Sequence, residues 1–146
     1  MIPSVTVYVG SKLVIVSPRH VTPDGIYYEQ DSPLVLDTMS ASSLGAAVKK
    51  AFELFSVRAK NLRDAKKTDW PALHVSGCRT IKLFAAEFCA LSVDYLNSSG
   101  AFARASIALR GDEDYSLSTE FNPRLPDEEI GKSIIGVIER AKRLVQ

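Results

Sequence analysis

The chain has 146 residues, 46% of them hydrophobic and 24% charged, which is the size and composition of one ordinary folded domain and excludes a disordered tail or a fibre. Its 18 Lys and Arg stand against 17 Asp and Glu, so no bulk charge draws it to nucleic acid or to an anionic membrane. Two cysteines, Cys78 and Cys89, are too few for a disulfide scaffold and fit a reducing compartment, with the cytosol as the expected location.

The amino end has no basic region ahead of an apolar run and reads as a strand rather than a secretory signal. Lys12, Asp24, Glu53 and Glu87 interrupt the stretches that a membrane-spanning helix would need. Residues 5–9 and 13–17 are rich in Val, Ile, Leu and Tyr and predict a hairpin, with Gly10-Ser11 supplying the glycine of a type II′ turn. Pro18, Pro23 and Asp24-Gly25 then predict a loop that contains His20. Two short strands are expected at 26–30 and 34–38, divided by Asp31-Ser32-Pro33. Alternation there sends one of Tyr27 and Tyr28 into the core.

The period then changes. Leu44, Val48, Ala51, Phe52 and Phe55 form one stripe of an α-helix, which Ser40 or Ser42 can cap. Residues 57–68 lose the stripe and read as a surface connector or an extension of the helix. Trp70-Pro71 and Gly77 bracket a short helix or turn. Strands are expected at 81–84, 88–96, 102–109 and 115–119, with Asn97-Ser98-Ser99-Gly100 as a tight turn.

From Pro126 onward an amphipathic helix carries Ile130, Ile134, Val137, Ile138 and Ala141 on its apolar side. Its acidic start, Asp127-Glu128-Glu129, and its basic end, Arg140, Lys142 and Arg143, complement the helix dipole. Aligning Leu44-Gly45 with Ile130-Gly131 superposes Val48 on Ile134, Ala51 on Val137 and Phe52 on Ile138. The pattern predicts a single α+β domain of two similar halves, residues 1–56 and 78–146, each with several antiparallel strands followed by a helix packed on the sheet. Leu44, Phe52, Ile130, Ile134 and Ile138 are its expected core.

Motifs for catalysis are wanting. Neither His20 nor His74 has a catalytic motif around it, and the eight glycines never form a phosphate-binding loop. His74 and Cys78 offer two metal ligands, with only His20 and Cys89 to complete a site, so no metal and no cofactor is expected, and the protein is not expected to be an enzyme. Both thiols read as buried apolar groups.

Charge is segregated instead. Residues 49–67 hold seven bases and two acids, residues 21–48 hold four acids and no base, and residues 112–129 hold seven acids and one base. An acidic surface with aromatic anchors suits a basic protein partner such as a nuclease. The candidate contact residues are Asp24, Tyr27, Tyr28, Glu29 and Asp31 in the first half, and Asp112, Glu113, Asp114, Tyr115 and Glu120 in the second. The alternative is a small nucleic-acid-binding protein that uses segment 49–67, although no aromatic lies between Phe55 and Trp70 on which bases would stack.

The order of Asp24-Gly25-Ile26-Tyr27-Tyr28, Leu34-Val35-Leu36-Asp37, Leu44-Gly45 and Glu129-Ile130-Gly131 over nearly the whole chain resembles the immunity proteins of bacterial contact-dependent growth inhibition systems. The resemblance implies a cytosolic protein that binds the C-terminal toxin domain of an exported adhesin and blocks it without catalysis. Some members of that family are paired with ribonuclease toxins related in fold to pancreatic-type ribonuclease. Each such protein matches its own toxin, so the resemblance carries no position over as a binding residue.

Overall fold

The computed structural model describes residues 1–37, 39–59, 70–108 and 114–145, without the side chains of Ala108, Asp114 and Val145. In chain order the elements are β1 (Ser4–Val9), β2 (Val14–Val21), β3 (Tyr27–Glu29), β4 (Leu34–Leu36), α1 (Ala41–Glu53), β5 (Ser56–Val57), α2 (Pro71–Ser76), α3 (Ile81–Glu87), β6 (Cys89–Asn97), β7 (Gly100–Ala108), β8 (Asp114–Phe121) and α4 (Asp127–Val145). The strands run in the spatial order β3-β2-β1-β6-β7-β8, and β4 and β5 also pair with β2. β2 is shared along its length: Val14–Val16 lies beside β4, whereas Arg19, His20 and Val21 lie beside β3. The architecture is the α+β arrangement of two similar halves that the sequence predicts.

Alternation along the central strands sorts side chains by face. Val5, Val7 and Val9 of β1, Leu91 and Val93 of β6, and Ala101, Ala103 and Ala105 of β7 meet the stripes of α1 and α4 in one core. Leu44, Val48, Ile130, Ile134 and Ile138 are buried there as expected, while Phe52 is only half-buried. Phe52 sits at the margin of the helix pair and turns its ring against Tyr95, with centroids 5.4 Å apart. On the opposite face Tyr8 and Ile15 pack under α2 and α3 with Ala72, Leu73, Phe84 and Phe88.

The two long helices cross at glycines in equivalent positions. A Cβ on Gly45 would lie 1.8 Å from the carbonyl oxygen of Asp127, and one on Gly131 would lie 1.8 Å from that of Ala41. The contact is reciprocal: the second turn of each helix receives the first residue of the other, and only glycine permits that approach. Strands match as well, since Gly100 precedes Ile130 by the same number of residues as Val14 precedes Leu44, and each opens the second strand of its half.

Several local expectations need correction. The Gly10 N–H donates to Leu13 O at 2.9 Å just beyond the Val9–Val14 pair, so the first hairpin turns at Ser11-Lys12 rather than at Gly10-Ser11. Gly10 also lacks the positive φ of a type II′ turn, which among the described glycines only Gly25 and Gly77 adopt. Its missing Cβ admits the ring of Phe88 instead, whose nearest carbon would stand 2.7 Å from it.

Residues 81–84 form helix, not strand. The Thr80 hydroxyl accepts the Leu83 N–H at 3.1 Å, and this cap with the helix-favouring Ala85-Ala86 outweighs the β-branched start. α1 stops at a cap on Leu54 rather than running on, and Arg58 N–H donates to Val21 O at 2.9 Å beside the parallel pairing of β5 with β2. Most of the expected connector, and with it Lys60, Arg63, Lys66 and Lys67, lies outside the described residues.

His20 is strand, not loop, and is 4% exposed. Neither Tyr27 nor Tyr28 enters the core, because β3 pairs only at the far end of β2. Cys78 and Cys89 are free and half-buried rather than buried.

Candidate protein-binding face

The candidate contact residues divide between two places. Asp24, Tyr27, Tyr28, Glu29 and Asp31 lie in or beside β3, and Tyr115 and Glu120 lie on β8, at the other end of the strand order. The structure therefore does not bring the two acidic segments together. Asp112 and Glu113 fall outside the described residues, and of Asp114 only the backbone is described. Asp24 and Asp31 are exposed, as are Tyr115 and Glu120.

Glu29 is not a solvent-facing acid. Its Oε2 accepts hydrogen bonds from the Tyr8 hydroxyl at 2.7 Å and from the Trp70 indole Nε1 at 2.7 Å. Those bonds tie β3 to the central sheet and to the start of α2. Burial, and then the negative charge and hydrogen bond of Glu29, hold the Tyr8 phenol well above the ordinary tyrosine range. Tyr8 and Trp70 also meet edge to face, centroids 5.5 Å apart, with Phe84 4.5 Å from Trp70.

Beside it, His20 Nδ1 lies 2.8 Å from Ser56 Oγ and 3.2 Å from Gln30 Nε2. Tyr28 packs on that ring at 5.4 Å. These bonds join β2, β3 and β5 at their common end, so His20 serves as a structural link. Tyr27 is anchored by its hydroxyl, which donates to Ile2 O at 2.8 Å, and its ring stacks on Phe55 at 6.2 Å.

The face of the sheet turned away from α1 and α4 is asymmetric. Under α2 and α3 it is apolar, but over β6, β7 and β8 it presents Ser92, Asp94, Phe102, Arg104, Ser118 and Glu120. Ser4, Thr6 and Ser17 lie between the two zones and are buried, with the Thr6 and Ser17 hydroxyls unpartnered among the described residues. A depression at the seam is lined by Ser4, Arg19, Tyr27, Asp94, Phe102 and Arg104, with Ile2 and Leu96 at its rim.

The expected basic surface is partly neutralised where it is described. Lys49 pairs with Asp127 at 2.9 Å, and Lys50 approaches Glu53 at 3.9 Å. Among the described residues no three His, Cys, Asp or Glu side chains assemble as a metal site, and no helix is long and apolar enough to cross a membrane.

No protein-family model and no curated protein matches the sequence. Solved structures do match in shape. A protein of unknown function from Neisseria meningitidis superposes with a TM-score of 0.74 at 14% identity, over 97% of this chain and 96% of its own. The second is a chain of the CdiA-CT/CdiI toxin and immunity complex from Yersinia pseudotuberculosis, with a TM-score of 0.66 at 12% identity, over 97% of this chain and 98% of that one. The fold is shared from end to end. At such identities the likeness is one of architecture, and the loops and edges that would meet a partner are this chain's own.

Sequence reasoning missed Arg19, Arg104 and the burial of Glu29. Arg104 was legible: in Ala101-Phe102-Ala103-Arg104-Ala105-Ser106 the alanines take one face and Phe102, Arg104 and Ser106 the other. Glu29 was not, because Tyr8 and Trp70 reach it from 21 and 41 residues away.

Proposed function

We propose that this chain is an immunity protein of contact-dependent growth inhibition, which binds the C-terminal toxin domain of its cognate effector in the cytosol and neutralises it without catalysis. The observation that carries the reading is the shared fold, over nearly the full length of both chains, with a chain from a toxin and immunity complex. The surface supports it: exposed acids at Asp24 and Asp31 beside the aromatic pair Tyr27 and Tyr28 suit a nuclease toxin whose substrate groove is basic. Covering that groove would block the toxin.

The contact zone we favour is the β3 end of the sheet, because its aromatic side chains are already held in place by the hydrogen bonds of Tyr27 and the tilted ring contact of Tyr28 with His20. Tyr115 and Glu120, on β8, would belong to a separate contact.

The test is co-purification of this chain with the toxin domain encoded beside its gene, joined to rescue of cells that express that toxin. A stable complex with restored growth is expected. Growth arrest undiminished by co-expression, with no complex recovered, would overturn the proposal.

A further inference from the structure

We infer that the depression at the seam of the sheet face turned away from α1 and α4 is a docking socket for a carboxylate side chain, Asp or Glu, presented by a protein partner. The inference rests on the immunity reading for the existence of that partner, but it assigns a chemistry opposite to the acidic β3 edge.

The depression encloses about 330 Å³. Arg19 and Arg104 both line it, and neither forms an ion pair with any described carboxylate. Arg19 is half-buried, spends one donor on Ser4 Oγ at 3.2 Å, and leaves Nε buried without a partner among the described residues. A guanidinium carries five N–H donors, so this one is held in place with donors to spare. Arg104 projects from β7, where Ser92 and Ser118 are its strand neighbours and offer no charge. It is exposed and has no hydrogen-bond or ionic partner among the described residues.

Asp94 also lines the depression and offsets one of the two positive charges, while Glu29, the strand partner of Arg19, and Glu120, the strand partner of Phe102, are the neighbouring acids outside its lining. The walls are apolar, with Tyr27 fixed to the Ile2 backbone and Phe102 beside Asp94 in the sheet. A forked donor beside aromatic side chains binds a planar carboxylate in two-point fashion. Arginine and aromatic side chains together are the composition of interface hot spots. The sheet supplies rigidity, since Ser4, Asp94 and Phe102 are consecutive register partners across β1, β6 and β7.

The experiment measures binding of the toxin domain encoded beside this gene to the unsubstituted protein and to Arg104→Lys, Arg104→Gln and Arg104→Glu, with Lys132→Glu on α4 as a remote charge control. Arg104 is exposed, so its variants fold, as thermal melts will verify. The expected losses of affinity are about tenfold for Arg104→Gln and about a hundredfold for Arg104→Glu, with Arg104→Lys between the parent and Arg104→Gln. Lys132→Glu should change affinity less than about threefold. If the parent binds and Arg104→Glu binds equally well, the socket is refuted while the immunity reading stands. If Lys132→Glu loses as much as Arg104→Glu, the effect is one of net charge and the socket is likewise refuted. If the parent itself does not bind the toxin domain, the immunity reading fails and takes the socket with it.

Discussion

Substituting alanine for glycine inside a helix ordinarily stabilises a protein by about 0.5–1 kcal/mol, because glycine loses more backbone freedom on folding. At the crossing of α1 and α4 the sign should reverse. A Cβ on Gly131 would stand 1.8 Å from the Ala41 carbonyl oxygen, against ordinary contact beyond 3.4 Å, and the obstacle is backbone rather than a movable side chain. Relief requires the helices to separate, which loosens Leu44, Val48, Ile130 and Ile134 together. Overpacking costs about 1–3 kcal/mol, and a backbone clash belongs at the top of that range, so Gly131→Ala should lose about 2 kcal/mol net. Gly136 lies in the same helix with nothing within 4 Å of its missing Cβ, so Gly136→Ala should gain about 0.5–1 kcal/mol. Because one separation of the helices relieves both clashes, Gly45→Ala combined with Gly131→Ala should cost less than the sum of the two. Urea titrations with a common m-value measure all four variants. A Gly131→Ala protein as stable as the parent would refute the close crossing.

Ile134→Ala, at a fully buried position, should destabilise by about 2–5 kcal/mol, and an unchanged melting curve would remove α4 from the core. Tyr8 gives an alkaline signature. Its folded phenol is held above the ordinary range while the unfolded one ionises near pH 10, so its contribution is fully present below about pH 10 and is lost as pH rises beyond it. Denaturation followed from pH 8 to 11 should show that fall, and Tyr8→Phe should flatten it. Burial, opposed by Lys142, holds the Cys89 thiol above its usual range, so alkylation of Cys89 by iodoacetamide, read by mass spectrometry, should keep accelerating at pH values where an ordinary thiol near 8.5 has levelled off. If the acidic β3 edge steers association, the on-rate with the toxin domain should fall about tenfold or more between low and high salt, and a salt-independent rate would refute the steering.

The parts of the fold legible in the sequence are those whose causes are local. α1 and α4 declare themselves by a 3.6-residue stripe with a serine cap on Ser40 or an acidic first turn, and β6, β7 and β8 by alternation around Asn97 and Gly100. α3 was misread because Ile81, Leu83 and Phe84 are as common in strands as in helices, and the decisive Thr80 cap is a single side chain. β5 escapes any local signal, since two residues become strand only by meeting the end of β2. Contact residues are harder still. Glu29 reads as a surface acid beside Asp31, and only the fold turns it toward Tyr8 and Trp70. The seam depression brings together Arg19 and Arg104 from different halves of the chain.

The central claim is neutralisation of a protein toxin, and titration of the purified toxin domain's own activity with this protein tests it most directly. Activity should fall in proportion to the protein added and vanish near equimolar amounts. Full activity at a tenfold excess of folded protein would contradict the account.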